Sequence, residues 1–116
     1  VNASGKAQEK IIDVVWSGDR KVDAKGKLPA VGNTVDVKTA AYTNSIGSPT
    51  LMGAWTDPDW NAEQNAVYYS RALEIPTPRW TTYDAVRNNL PLLENTPATI
   101  QERAWGSPIW VTSTKK

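Results

Sequence analysis

The chain has 116 residues, 13 of them basic and 12 acidic, so its formal net charge is +1. It contains no His and no Cys, which excludes disulfides, His-based acid–base catalysis and most transition-metal sites within it. The balanced charge gives no electrostatic reason to expect nucleic acid as a partner, and no apolar run is long enough to span a membrane. A chain of this length can form one domain with a core.

The first half of the sequence predicts short strands separated by loops. Apolar residues alternate over 7–16 and again over 34–43, which predicts a strand in each segment. Residues 17–32 between them are polar and glycine-rich, which predicts a loop. A third short strand is predicted over 51–56. It ends at Asp57-Pro58-Asp59, because Pro fixes its own φ and restricts the residue before it.

The strongest strand prediction covers residues 66–75, which read AVYYSRALEI. Alternate residues on one face of this strand are expected to be buried: Val67, Tyr69, Arg71, Leu73 and Ile75. A buried guanidinium needs partners for its donors. We favour an Arg71 that emerges at a strand end or pairs with a local carboxylate. The alternative is that this face meets another domain.

The last third of the chain predicts one helix and one more strand. Pro76-Thr77-Pro78 ends the preceding strand and forces an extended path. Thr82 is placed to cap a short helix over 83–89. Residues 92–102 are expected to form a proline-containing crossing, and 107–113 the final strand.

Many short strands with frequent turn signals predict an all-β chain. We expect an antiparallel, immunoglobulin-like β-sandwich with one short helix or helical turn near 82–90 and long irregular loops. Residues 1–116 would form this single domain. Val1 lies within an apparently regular segment, and a turn at 2–5 would join it to the first strand as a hairpin. We therefore expect an excised C-terminal part of a longer protein.

The aromatic composition fits side chains that fill a sandwich core, which we favour, or a core that also touches a partner or a ligand. The chain has six Trp, four Tyr and no Phe, and such rings combine an apolar body with a polar edge. After two prolines, Arg79-Trp80 displays a cation beside an indole. This pair can stack on a sugar or aryl group and hold a sulfate or phosphate, or it can dock one domain on another, which we favour. The candidate interdomain or substrate-cleft contacts are Arg71, Arg79, Trp80, Tyr83 and Trp105.

Asp57, Asp59 and Asn61 offer oxygen ligands of the kind that Ca²⁺ prefers. They lack the Gly and the distal Glu of a dedicated calcium loop, and an Asx-type turn is the simpler interpretation. No spacing in the sequence brings a catalytic pair of carboxylates together. We predict neither a catalytic residue nor a metal ligand in this chain.

Several ordered motifs resemble those of a large bacterial family, domain of unknown function 3604. They are DVVWSGDR at 13–20, GNTVDV at 32–37, AWTDPD at 54–59, residues 69–83 and residues 101–110. The resemblance implies a longer protein whose main body is similar to a PHP-type metallohydrolase barrel, with relatives described as arylsulfatases. Its His and acidic metal ligands would lie upstream of this chain. Export signals in many members imply a periplasmic or secreted location.

Together, the composition and this resemblance predict a non-catalytic C-terminal domain. It would pack on and complete a metal-dependent ester hydrolase that is sulfatase- or phosphoesterase-like. Its partner would be the upstream domain of the same polypeptide, which would bind the divalent metal, and the excised chain could self-associate. The alternative is a carbohydrate- or aryl-binding β-sandwich module that recruits substrate through exposed Trp.

Overall fold

A computed structural model describes residues 7–113 of the chain. Within this range there is one helix, α1 (Trp80–Arg87), and there are six short strands. The strands are β1 (Ala66–Tyr68), β2 (Arg71–Leu73), β3 (Thr77–Pro78), β4 (Thr99–Ile100), β5 (Arg103–Trp105) and β6 (Ile109–Val111). The expectation of a mainly β chain with a single short helix is confirmed. The hairpin predicted for the first residues lies outside the described range.

The described strands form three two-stranded sheets, β1–β6, β2–β5 and β3–β4. In the first, β1 and β6 are antiparallel, with Val67 opposite Trp110 and Tyr68 opposite Ile109. In the third, β3 and β4 are antiparallel. Among residues 7–113 no sheet has more than two strands, so the two packed sheets of a sandwich stay a prediction.

The strand predicted over 66–75 is interrupted, and Pro108 explains the interruption. Tyr68 pairs with Ile109, whereas the Gly106 N–H donates to the Ser70 carbonyl. Between these two contacts the earlier strand advances by two residues, from Tyr68 to Ser70. The later strand runs back by three residues, from Ile109 to Gly106. The extra residue makes a bulge beside Pro108, which has no N–H to donate to the ladder. The pairing resumes on the far side of this bulge as a separate short sheet.

The prolines after β2 do not end strand pairing as predicted. The Glu74 N–H donates to the Glu102 carbonyl, and Thr77 then pairs with Ile100. Here the earlier strand carries the extra residue, at Pro76, so the chain bulges and continues as β3. Proline at a bulge loses no hydrogen bond. The predicted crossing over 92–102 is therefore partly a strand.

The three strands predicted before residue 60 are not found, since 7–16 and 51–56 belong to no strand in the structure. In the 34–43 segment, Asp36 and Ala41 form an isolated bridge across a turn. Asp36 accepts hydrogen bonds from the Lys38 N–H and the Thr39 hydroxyl, and Ala40 has a left-handed φ of 51°. Local side-chain bonding by Asp therefore produces a tight turn where alternation predicted a strand.

Helix α1 begins three residues earlier than predicted. Arg79 is its N-cap residue and makes no side-chain capping bond. Thr82 is not the cap but a buried residue inside the helix. At the other end, the Leu90 N–H donates to the Ala85 carbonyl and Asn89 has a left-handed φ of 53°. This is a Schellman ending, and Pro91 follows it.

The chain divides into two compact units. Unit 1 comprises residues 7–15, 52–72 and 104–113 of the described range, and unit 2 comprises 16–51 and 73–103. The buried residues of the described range all lie in unit 2: Ala40, Pro78, Thr82 and Ala85. Unit 1 has no fully buried residue within 7–113.

Candidate docking surfaces

Unit 1 exposes apolar side chains that a self-sufficient domain would bury. Met52 is 90% exposed, Trp110 73% and Ile11 69%. Nine further large apolar residues of this unit are at least 40% exposed: Ile12, Val14, Val15, Trp55, Trp60, Val67, Tyr69, Trp105 and Ile109. Scattered exposed apolar residues are ordinary, but residues of these types normally form the core. A unit that exposes so many of them without burying any within 7–113 is a candidate for an interface.

The face predicted to be buried on the 66–75 strand is instead exposed in this chain. Tyr69 and Leu73 are about half exposed and Arg71 is exposed on β2. Arg71 makes no ion pair with another described residue. Trp105, on β5, is likewise exposed, and β2 pairs with β5. An exposed apolar face is what this strand would show if the face formed an interface. That another domain covers it stays a prediction.

The other predicted contacts lie within one turn of α1, in unit 2. Arg79 is half-buried at the helix start and Trp80, the first helical residue, is 70% exposed. Tyr83 is half-buried, and the Arg87 guanidinium carbon lies 5.6 Å from its ring centroid. Residues three apart on a helix are neighbours on its surface. The helix therefore places Trp80 beside a Tyr–Arg pair.

A shallow groove of about 290 Å³ lies on unit 2 beside the same helix. Its lining is mostly apolar, with one cation and one amide: Val37, Lys38, Ala85, Val86, Asn89, Leu90 and Leu92. Leu90 and Leu92 are themselves exposed, so the groove continues into an open apolar surface. It can take an apolar side chain of a partner, whereas it lacks the convergent polar groups that orient a small substrate.

Asp57 is the centre of a polar cluster in unit 1 that sequence reasoning did not assemble. The Tyr68 hydroxyl donates to Asp57 Oδ2 over 2.7 Å, and the Asp59 N–H donates to Asp57 Oδ1 over 2.9 Å. The bond from Tyr68 lowers the pKa of the Asp57 carboxyl and raises the pKa of the Tyr68 hydroxyl. Trp55 lies against Tyr68, with ring centroids 6.4 Å apart.

The carboxylates of this cluster serve local structure. The bond from the Asp59 N–H to Asp57 and a matching one from the Glu63 N–H to Asn61 are Asx turns. Asp59 also forms an ion pair with Lys10, and this contact raises the pKa of the Lys10 ammonium. For Asp57, Asp59 and Asn61 the structure therefore favours an Asx-type turn over a Ca²⁺ site. Residues 7–113 contain no group of three or more His, Cys or acidic residues placed to hold a metal ion.

Comparison with known proteins gives one match. No curated protein and no solved structure matches this chain. In the described part of the chain, no helix is both long and apolar enough to cross a membrane. A family model, described as a protein of unknown function (DUF3604), matches residues 1–113. The match covers nearly the whole chain, which therefore belongs to the DUF3604 family.

Proposed function

We propose that this chain is a non-catalytic part of a larger protein, and that it packs on and completes a metal-dependent ester hydrolase. The carrying observation is the distribution of burial. Only four residues of the described range are buried, while twenty large apolar side chains of that range are at least 40% exposed. Burial of such side chains is the main driving force of folding and association. The large apolar side chains that would form an interior therefore lie mostly at the surface of this chain.

The exposed tryptophans give the scale of the missing contact. Five of the six Trp are 43–73% exposed. With about 200 Å² for a whole indole side chain, these five alone expose roughly 600 Å². A standard protein–protein interface buries about 800 Å² on each partner. The exposed indoles, with the exposed Ile, Leu, Val and Met side chains of each unit, therefore support an interface on this chain.

The hydrolase part of the proposal is supported by the resemblance of the sequence motifs. The chemistry would be hydrolysis of a sulfate or phosphate ester by metal-activated water in the upstream domain. The described residues of this chain do not fit a metal site, because their acidic side chains are not grouped for it. No catalytic step is therefore assigned to this chain. In the completed protein its short sheets would be parts of the predicted sandwich.

Footprinting of tryptophan tests the packing. Hydroxyl-radical labelling of Trp60, Trp105 and Trp110 would be compared between the full-length protein and the chain alone. We expect labelling in the full-length protein to fall at least about fivefold, because interface cores exclude solvent. Trp16 is half-buried already and donates its indole N–H to the Arg20 carbonyl, so it serves as the internal control.

Equal labelling of the three indoles in both proteins would contradict the proposal. If the indoles of the full-length protein also become protected when a soluble oligosaccharide or aryl sulfate is added, the alternative of a ligand-binding module gains support. Protection that needs no ligand is the result expected for packing.

A further inference from the structure

The peptide bond between Asp57 and Pro58 joins two residues whose chemistry suits intramolecular cleavage. A carboxylate can act as a nucleophile, and that of Asp can reach its own main-chain carbonyl to form a cyclic anhydride. Pro contributes a leaving nitrogen that is a tertiary amide without an N–H. Pro58 is exposed and lies in a turn outside the described strands, so water reaches this bond.

One hydrogen bond folds the Asp57 side chain over the bond that it would attack. The Asp59 N–H donates to Asp57 Oδ1 over 2.9 Å. The ring that this Asx turn closes runs through the Asp57 carbonyl carbon and the Pro58 nitrogen. A free Asp side chain divides its time among its staggered χ1 wells, whereas the turn selects one of them. The carboxylate is therefore held near the carbonyl carbon before any reaction begins.

The carbonyl that would be attacked has a hydrogen-bond donor of its own. The Trp60 N–H donates to the Asp57 carbonyl oxygen over 3.4 Å. Attack by the carboxylate moves negative charge onto this oxygen, and a main-chain N–H placed there stabilises that charge as in an oxyanion hole. The bond is long in the resting protein, and such bonds tighten as charge develops.

The groups that face Asp57 keep its carboxylate ionised in mild acid. The Tyr68 hydroxyl donates to Asp57 Oδ2 over 2.7 Å, and this bond is the largest cause of the lowered pKa of Asp57. The Asp59 N–H and, more weakly, the Lys10 ammonium act in the same direction. Attack needs an ionised carboxylate, and departure needs a protonated Pro58 nitrogen. Both conditions are met together over a wider range of acid pH when the carboxyl pKa is low.

We propose that the bond between Asp57 and Pro58 cleaves itself in mild acid, with the Asp57 carboxylate as the nucleophile. A carboxylate oxygen bonds to the Asp57 carbonyl carbon, and the bond from that carbon to the Pro58 nitrogen breaks. The nitrogen takes a proton from the solvent and leaves as the amino end of the second fragment. Water then opens the cyclic anhydride, which leaves Asp57 at the end of the first fragment with two carboxyl groups.

Incubation of the full-length protein at about pH 4, near the ordinary pKa of Asp, tests the cleavage. Mass spectrometry and amino-terminal sequencing should find a new fragment that begins at Pro58. A peptide of residues 52–62 is the reference, because it contains the same bond without Tyr68 or a fixed fold. The protein should be cleaved at least about threefold faster, since its turn selects one χ1 well of about three. Equal or slower cleavage of the protein would overturn the proposal.

Two substitutions of Asp59 separate the effect of the turn from that of charge. Asp59→Pro removes the N–H that closes the turn, whereas Asp59→Asn keeps it, and both remove the ion pair with Lys10. Asp59→Pro should lower the cleavage rate to that of the peptide, and Asp59→Asn should retain most of the rate. Equal rates in the two variants would show that the turn does not position the nucleophile.

Removal of the nucleophile tests the assignment of Asp57. Asp57→Ala should abolish the fragment that begins at Pro58, and the same fragment from this variant would overturn the proposal by identifying another route of cleavage. The inference does not rest on the proposed packing. Cleavage of a protein whose Trp60 and Trp110 are labelled as in the chain alone would support this inference and contradict the packing. Protected indoles without cleavage would have the opposite meaning.

Discussion

Tyr68 is held by a carboxylate in a unit whose surface is otherwise largely apolar. Its bond to Asp57 lowers the pKa of Asp57 and raises that of Tyr68. The bond therefore contributes fully between about pH 4 and pH 10, the ordinary values of the two groups. The contribution is lost as the pH falls through the lowered pKa of Asp57 or rises through the raised pKa of Tyr68.

A phenolate absorbance titration checks this. The difference between the native protein and Tyr68→Phe should show a midpoint above the ordinary tyrosine value of about 10. Asp57→Asn keeps the shape and removes the charge, so it should shift the Tyr68 midpoint back toward that ordinary value. A Tyr68 midpoint that is the same in both backgrounds would show that the bond is absent in solution.

Thr82 ties α1 to the strand that returns beside it. Its side chain is 1% exposed and its hydroxyl donates to the Ala98 carbonyl over 2.7 Å. Thr82→Val keeps the shape and deletes the donor, which should lower the free energy of unfolding by about 1 kcal/mol. The cost stays moderate because the Arg79 N–H also donates to Ala98. Thr82→Ser keeps the hydroxyl and should retain the bond. Urea unfolding of the full-length protein measures both, and a larger loss in Ser than in Val would contradict the assignment.

Among the turns, Gly47 combines two constraints that can be separated. Its φ is 81°, and a Cβ placed there would lie 2.6 Å from the Ile75 side chain. Gly26 has a similar φ of 76° but nothing within 4 Å of the added Cβ. Both Ala substitutions cost left-handed strain of about 1 kcal/mol. Gly47→Ala should cost about 1–3 kcal/mol more, because it also overpacks Ile75. Equal losses in urea unfolding of the full-length protein would show that the loop relaxes freely.

Helix α1 offers a test of whether Arg79 acts locally or at an interface. Arg79 is an N-cap without a capping side-chain bond, so Arg79→Ser should stabilise the helix by about 0.5–1 kcal/mol if nothing else contacts the residue. If Arg79 docks on another domain, the same substitution should lower the melting temperature of the full-length protein. Trp80→Ala should lower it in parallel. A rise in melting temperature with Arg79→Ser would remove Arg79 from the predicted contacts.

The sequence predicted the elements whose signals are local. The strands at 66–68 and 109–111 lie within predicted segments, and helix α1 overlaps the helix predicted near 82–90, because apolar alternation and helical spacing are encoded in adjacent residues. The prediction did not find β5, and it placed a strand where Asp36 forms a turn. Both errors have the same cause, since pairing partners and side-chain bonds to the backbone depend on residues that periodicity does not weigh.

The candidate surface was predictable in type but not in position. Arg71 and Trp105 were identified from their neighbours in sequence, yet the structure separates them from the Arg79–Tyr83 group by assigning the two sets to different units. The hydrogen bond between Asp57 and Tyr68 joins residues 11 apart in the sequence, and no sequence motif predicts it. Whether the exposed face of residues 69–73 is buried against another domain stays a prediction, because the same apolar alternation describes a face in a core and a face against a partner.

For the molecule as a whole, the chain without its partner should unfold without a cooperative transition. Residues 7–113 bury too few side chains fully to offset the conformational entropy of an ordered backbone. We expect a weak near-ultraviolet dichroism from the six Trp and a broad, shallow thermal profile, in contrast with a sharp transition for the full-length protein. A sharp calorimetric transition of the dilute monomeric chain would contradict this.

The carbonyl of Ala98 joins the two ends of a closed excursion. It accepts the N–H of Arg79 and the hydroxyl of Thr82, directly beside the pairing of Pro78 with Thr99. The segment between Arg79 and Ala98 thus leaves the β3–β4 sheet and returns to it at the same place. Because its two ends are already adjacent, the segment can be lengthened without moving them. Doubling such a loop costs only about 0.6 kcal/mol in closure entropy. We therefore expect the segment from Pro91 to Thr96 to tolerate the insertion of a reporter domain without a change in the pairing of β3 with β4.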